Sequence, residues 1–177
     1  MVFRSLFKPR PAILAGQALY AAAVAQARTP AFYAQMGAPD TREGRFELYS
    51  LHVVLLMRRL KGQGAQADET SQGLVEAYIG SLDIALRELG TGDLSMAKKM
   101  KKLGQAFYGR LKAQEDAFAA LPDAGPLSDL IARTVLAESD SAPEPFVQYV
   151  IAADERLAST PLDQILGGQV DWPKVNP

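Results

Sequence analysis

A chain of 177 residues with 19 basic and 20 acidic side chains carries a formal charge of −1 at pH 7 and is 48% hydrophobic. That length suits one domain burying roughly two-thirds of its unfolded surface, and near-neutrality argues against a dedicated nucleic-acid binder, which is normally strongly basic. With no cysteine and one histidine, disulfides, thiolate or multi-histidine metal sites and cysteine nucleophiles are excluded.

The opening segment is basic and apolar, with Phe3, Leu6 and Phe7 interleaved with Arg4, Lys8 and Arg10. It lacks the apolar core of a secretory signal and the length of a transit peptide. A tail that packs or frays is expected, with weak contact to an anionic bilayer as the alternative. Residues 11–28 then read as an alanine-rich helix with Ile13, Leu14, Ala18, Ala21 and Ala25 near one face. Thr29 and Pro30 open a short helix that Gly37 stops.

Asp40 and Glu43 read as a capping pair for a helix over 41–61. At about 100° per residue, Phe46, Val53, Met57 and Leu60 line one side, and Leu48, Leu51 and Leu55 the other. A helix apolar all round belongs at the centre of a bundle. Its apolar run over 48–57 is far short of the roughly 20 residues that span a bilayer. Arg58, Arg59 and Lys61 suit its C-terminal dipole.

A polar loop over 61–66 leads to a helix over 69–89, with Leu74, Tyr78, Leu82, Ala85 and Leu89 on one stripe and Gly90 as its C-cap. Asp93 or Ser95 is expected to cap the next helix, over 94–121. That helix concentrates charge. Met96, Met100, Leu103, Phe107, Leu111 and Phe118 share a narrow arc, Lys98, Lys101, Lys102 and Lys112 lie opposite, and Lys99 and Arg110 flank the arc.

No acid occurs between Leu94 and Ala113. A face shaped only by solubility mixes signs and adds i,i+4 ion pairs. The pattern therefore points to a surface that meets phosphate, acidic protein or lipid headgroups, against the plainer reading of a solvated face. Gly104 and Gly109 inside the helix each cost about 1 kcal/mol relative to alanine, so close approach of another helix or of a bound segment is expected. The glycine turn at 90–92 follows a helix and has no Gly-Lys-Ser/Thr ending, which argues against a nucleotide cradle.

Residues 122–126 break the basic helix. Two further helices follow, over 127–139 and 143–159, then a short turn after Pro161 and an irregular end containing Trp172. The expected architecture is all-α: a single-domain helical bundle over 1–177 with six to seven helices, without repeat or linker. His52 reads as a buried, neutral, hydrogen-bonded imidazole, with haem ligation by His52 and a methionine as a remote rival. The acids are scattered, and no Glu-x-x-His pairing exists for a di-iron bundle. No catalytic residue, metal ligand or cofactor is expected. The chain reads as a binding protein.

Two blocks carry a family resemblance. The segment GRFELYSLHVVLLMRRL (residues 44–60), and GTGDLS (90–95) running into KKMKK (98–102) and AFYGR (106–110), together with PAFY (30–33), resemble the ubiquinol–cytochrome c chaperone family. The similarity covers about residues 15–120; the C-terminal third matches poorly. It implies a non-enzymatic assembly factor that receives newly made cytochrome b, its client, and holds it for assembly into the ubiquinol–cytochrome c reductase.

Eukaryotic members act at the mitochondrial inner membrane with a small partner protein, near the ribosomal exit. Without their long targeting extension, this chain resembles a bacterial version, peripheral at the cytoplasmic face of the membrane. The ribosome, the membrane surface and a small partner protein are further candidate partners, and DNA is not. The resemblance supplies the partner-binding positions and charge supplies their role: Asp93, Met96, Lys98, Lys99, Lys101, Lys102, Phe107, Tyr108 and Arg110, supported by Arg58 and Arg59. Met96, Phe107 and Tyr108 are expected to be partly exposed among the cations. Rival readings are an RNA- or ribosome-binding module and, more remotely, a haem or lipid carrier.

Overall fold

The computed structural model describes residues 10–175, apart from the side chains of Asp93 and Leu94. The tail reading for Phe3, Leu6 and Phe7 lies outside the described residues. Among the described residues, eight helices account for the regular structure: α1 (Pro11–Ala27), α2 (Pro30–Ala34), α3 (Arg42–Leu60), α4 (Ala65–Glu88), α5 (Asp93–Ala119), α6 (Gly125–Arg133), α7 (Glu144–Ser159) and α8 (Leu162–Leu166). The fold is the expected all-α bundle, with two of its helices only five residues long.

Helix α3 lies at the centre and touches α1, α4, α5 and α7. Leu48, every residue from 50 to 56, and Leu60 are buried, as a helix without a polar stripe requires. Its start departs from expectation: Thr41 is the cap, its Oγ1 accepting from the Gly44 amide at 3.1 Å. Asp40 is instead drawn outward to Arg45, 2.8 Å away. The buried polar groups of α3 are satisfied. Ser50 Oγ meets the Tyr78 hydroxyl at 2.7 Å, and both ring nitrogens of His52 are bonded.

Helices α1 and α4 touch backbone to backbone. A Cβ on Gly16 would lie 2.4 Å from the Leu74 nitrogen and from the Thr70 oxygen, and one on Gly73 would lie 2.8 Å from the Ile13 Cα. Neither neighbour is a side chain that can move aside. Gly16→Ala is therefore expected to destabilise the fold by about 1–3 kcal/mol through overpacking, read as a lower urea midpoint at unchanged slope.

Helix α4 begins four residues earlier than predicted, because Gly64 at φ +97° turns the chain straight into it. Gly92, and neither Asp93 nor Ser95, holds the N-cap position of α5; Ser95 Oγ donates back to the Gly92 carbonyl at 3.0 Å. Helix α6 ends at Arg133, six residues before its predicted end, and turns fill 134–138. The irregular C-terminal segment packs against the core through Val170, Trp172 and Val175.

Candidate functional site

Helix α5 is 27 residues long, and only its second half is tied to the rest of the bundle. From Phe107 onward it sets a ring against Tyr78 at a tilt of 47°, pairs with Glu47 and receives Arg58 on the Phe118 ring. Before Phe107, the side-chain bonds among the described residues stay within the α4–α5 hairpin: Ser95 to Gly92, and Lys99 Nζ to Thr91 Oγ1 at 2.9 Å. Met96 is buried, yet it stands outside the main core cluster.

On the outer side of this half, Lys98, Lys101 and Lys102 are exposed, and none forms an ion pair with a described carboxylate. Tyr108, 63% exposed, stands two turns beyond Lys101 along the same side. A Cβ at Gly104 or Gly109 would meet nothing within 4 Å. The expected approach of another helix of this chain to these glycines is therefore not found. Gly104→Ala is expected to stabilise the protein by up to about 1 kcal/mol, seen as a higher melting temperature.

Several predicted site residues are placed elsewhere. Phe107 and Met96, expected to be partly exposed, are 0% and 6% exposed, because the arc that carries them is the face α5 turns inward. Arg110 forms a forked, half-buried pair with Glu47 at 2.6 and 3.0 Å, and this hydrogen bond raises its already high pKa. Arg58 pairs with Asp154 at 2.9 Å and lies 4.4 Å over the Phe118 ring. Arg59 donates to the carbonyls of Leu157 and Thr160 at the end of α7, where the helix dipole favours a cation. Lys112 is held by Asp116, whose hydrogen bond raises the lysine's pKa. Asp93 opens α5, and its side chain lies outside the described residues.

The structure therefore brings together Lys98, Lys99, Lys101, Lys102 and Tyr108, and commits Arg58, Arg59 and Arg110 to holding helices together. Arg58 and Arg59, with Lys61, also line an open depression of roughly 810 Å³, where Glu115, Asp116 and Asp154 balance the three cations. Sequence reasoning did not find Glu47 as the partner of Arg110. Its one signal was a guanidinium flanking the apolar arc, a half-buried position that calls for a counter-charge.

His52 is fully buried, and desolvation lowers its pKa to about 4. Its Nδ1–H donates to the Leu48 carbonyl at 2.7 Å, so its Nε2 accepts from the Tyr149 hydroxyl at 2.8 Å. Burial pushes the Tyr149 hydroxyl up, keeping that proton in place. Neither nitrogen is left to bind a ligand. No group of three potential metal-ligating side chains occurs among the described residues, and none of their helices is long and apolar enough to cross a membrane.

The model of one protein family, "Ubiquinol-cytochrome C chaperone", matches residues 34–172. The match extends past the 15–120 region of resemblance and takes in α6, α7, α8 and Trp172. A solved structure described as "Crystal structure of the Cbp3 homolog from Brucella abortus" is 32% identical, covers 92% of this chain and 90% of that chain, and superposes with a TM-score of 0.82. No curated protein matches. With both the sequence of most of its length and its three-dimensional arrangement in agreement, this chain belongs to the ubiquinol–cytochrome c chaperone family.

Proposed function

We propose that this chain is a non-enzymatic assembly factor that holds newly made cytochrome b, on the cytoplasmic side of a bacterial membrane, until it enters the ubiquinol–cytochrome c reductase. Membership in a chaperone family supports the assembly role. The observation that carries the contact surface is the outer side of α5, where Lys98, Lys101 and Lys102 stand exposed without a carboxylate partner among the described residues, beside Tyr108.

A multi-span protein leaving the ribosome offers apolar helix flanked by polar loops. A surface joining ammonium groups to an aromatic ring and open glycine positions suits both, with the ring supplying apolar area and the lysines charge complementarity. Gly104 and Gly109 let a client backbone approach α5 more closely than any side chain would permit.

The test is a photocrosslinker placed at positions 98, 101, 105 and 108 in cells, followed by identification of the trapped molecule. Cytochrome b is expected at these positions, and deletion of the gene is expected to lower assembled reductase without changing its transcripts. Trapped RNA, with an affinity that falls steeply with salt, would replace this reading with an RNA-binding one. Normal reductase in the deletion strain would remove the assembly role.

A further inference from the structure

The end of the α4–α5 hairpin joins to the basic helix a feature that the client surface does not use. Two aliphatic side chains stand open there: Ile84 is 59% exposed and Leu89 51% exposed, at the last turns of α4 and beside the Gly90–Gly92 turn. Lys98 and Lys99 follow on α5, about 8–9 Å from its start at 1.5 Å per residue, and Lys101 and Lys102 lie roughly 12–14 Å from it. Asp83 is bound to Arg87, and Glu88 and Asp93 are the remaining acids of this end. Over 83–102, five cations stand against three acids.

We propose that the free end of this hairpin docks on an anionic phospholipid surface, with Ile84 and Leu89 entering the boundary between headgroups and acyl chains and the lysines lying among the phosphates. Charge complementarity selects the occupant. Interfacial segments bury apolar side chains about 5–10 Å deep, which seats the Leu89 turn in the boundary and leaves Lys98 and Lys99 at headgroup height. Their four-carbon stems lie along the apolar surface while the ammonium groups reach phosphate. Lys101 and Lys102, one turn higher, still lie within a Debye length of the surface.

A single-stranded RNA would instead need rings on which bases stack. The exposed large side chains at this end are aliphatic, and Tyr108 stands about 15 Å further along α5 from Lys98. The exposed methyl groups of Ile84 and Leu89 have no role in an RNA contact, and they suit lipid.

This inference draws on the same basic helix as the proposed function, but it needs no client. The test uses the full chain and vesicles containing phosphatidylglycerol and phosphatidylcholine in equal parts, against vesicles of phosphatidylcholine alone. Co-sedimentation is expected with the anionic vesicles, weakening as salt rises. Lys98→Gln with Lys99→Gln is expected to weaken binding by roughly 25-fold, about fivefold for each lysine. Ile84→Ser with Leu89→Ser is expected to weaken it at least about tenfold, with no effect on client crosslinking from position 108.

Because the chain has no cysteine, Leu89→Cys accepts a single environment-sensitive dye, whose emission is expected to shift blue on anionic vesicles only. Circular dichroism confirms that each variant folds, since both aliphatic positions are exposed. Equal binding to both vesicle types would overturn the proposal, as would an unshifted dye. So would undiminished binding of the Ile84→Ser/Leu89→Ser protein, which would place the membrane contact elsewhere in the chain. Lysine-dependent binding of polyuridylate in place of vesicles would assign the surface to RNA. Failure on vesicles with client capture intact removes this inference alone, and lost client capture with vesicle binding intact removes only the proposed function.

Discussion

Reversing charge at Lys101 and Lys102 together, as Lys101→Glu/Lys102→Glu, is expected to reduce capture of cytochrome b at least about tenfold while leaving the thermal melt unchanged. Both side chains are exposed and neither has a carboxylate partner among the described residues, so the native fold loses no ion pair there when they change. Exposed substitutions of this kind usually shift stability by no more than about 0.5 kcal/mol, and new glutamates three and four residues after Lys98 form favourable helical pairs. Binding behaves differently. An exposed charge pair contributes up to about 1 kcal/mol, and reversal replaces attraction with repulsion at two positions. A loss of 1.4 kcal/mol is already tenfold in affinity.

The measurement is recovery of cytochrome b with the variant after crosslinking in cells, beside a native gel of assembled reductase. Lys101→Gln/Lys102→Gln is expected to fall between wild type and the reversal. Arg110→Gln serves as the opposite control. It strands Glu47 in a half-buried position, so its first effect is on the melt. Capture unaffected by reversal would make this side of α5 a solvated face.

The elements most legible in the sequence were those whose role follows from their own composition. Helix α3 announced its central position because Leu48, Val53 and Leu55 leave it no polar stripe, and His52 is as buried as its neighbours required. The same periodicity placed Met96 and Phe107 on the inner arc of α5. The chemistry of the neighbouring lysines then suggested an exposure that the arc itself argued against.

Arg58, Arg59 and Arg110 could not be assigned from the chain alone. Their partners lie 63 to 101 residues away, in Glu47, Asp154, Leu157 and Thr160. A cation on a helix looks the same in sequence whether it faces solvent or another helix. The C-terminal third was undervalued for a related reason. Its contribution is Tyr149 against His52, Asp154 against Arg58 and Trp172 against the His52 ring: single side chains spaced along α7 and an irregular segment, with no local pattern to mark them.

Acidification is expected to loosen the protein through one ring. His52 is the chain's only histidine, and burial lowers its folded-state pKa to about 4, from the 6.5 usual for an imidazole. Above pH 6.5 the imidazole is neutral in both folded and unfolded chains, and this group makes stability independent of pH. As pH falls below that, the unfolded chain binds a proton that the folded chain refuses. Stability is then lost at up to about 1.4 kcal/mol per pH unit, roughly 2 kcal/mol by pH 5.

The geometry supplies the reason for the refusal. The Leu48 carbonyl can only accept, which fixes the proton on Nδ1, and the Tyr149 hydroxyl that donates to Nε2 already accepts from Gln26 Nε2 at 3.0 Å. A second ring proton would face that hydroxyl proton in a site walled by Phe32 and Trp172. Urea unfolding at steps from pH 7.5 to 5 measures the slope. His52→Gln, which retains a donor and an acceptor, is expected to flatten it even if it is less stable throughout. Equal slopes in the two proteins would mean that the folded ring accepts a proton freely. Trp172 is the only tryptophan and touches the His52 ring edge-on with centroids 5.0 Å apart. Its emission should therefore shift together with the urea transition if the ring and the C-terminal segment unfold as one, and ahead of it if protonation first releases that segment from the core.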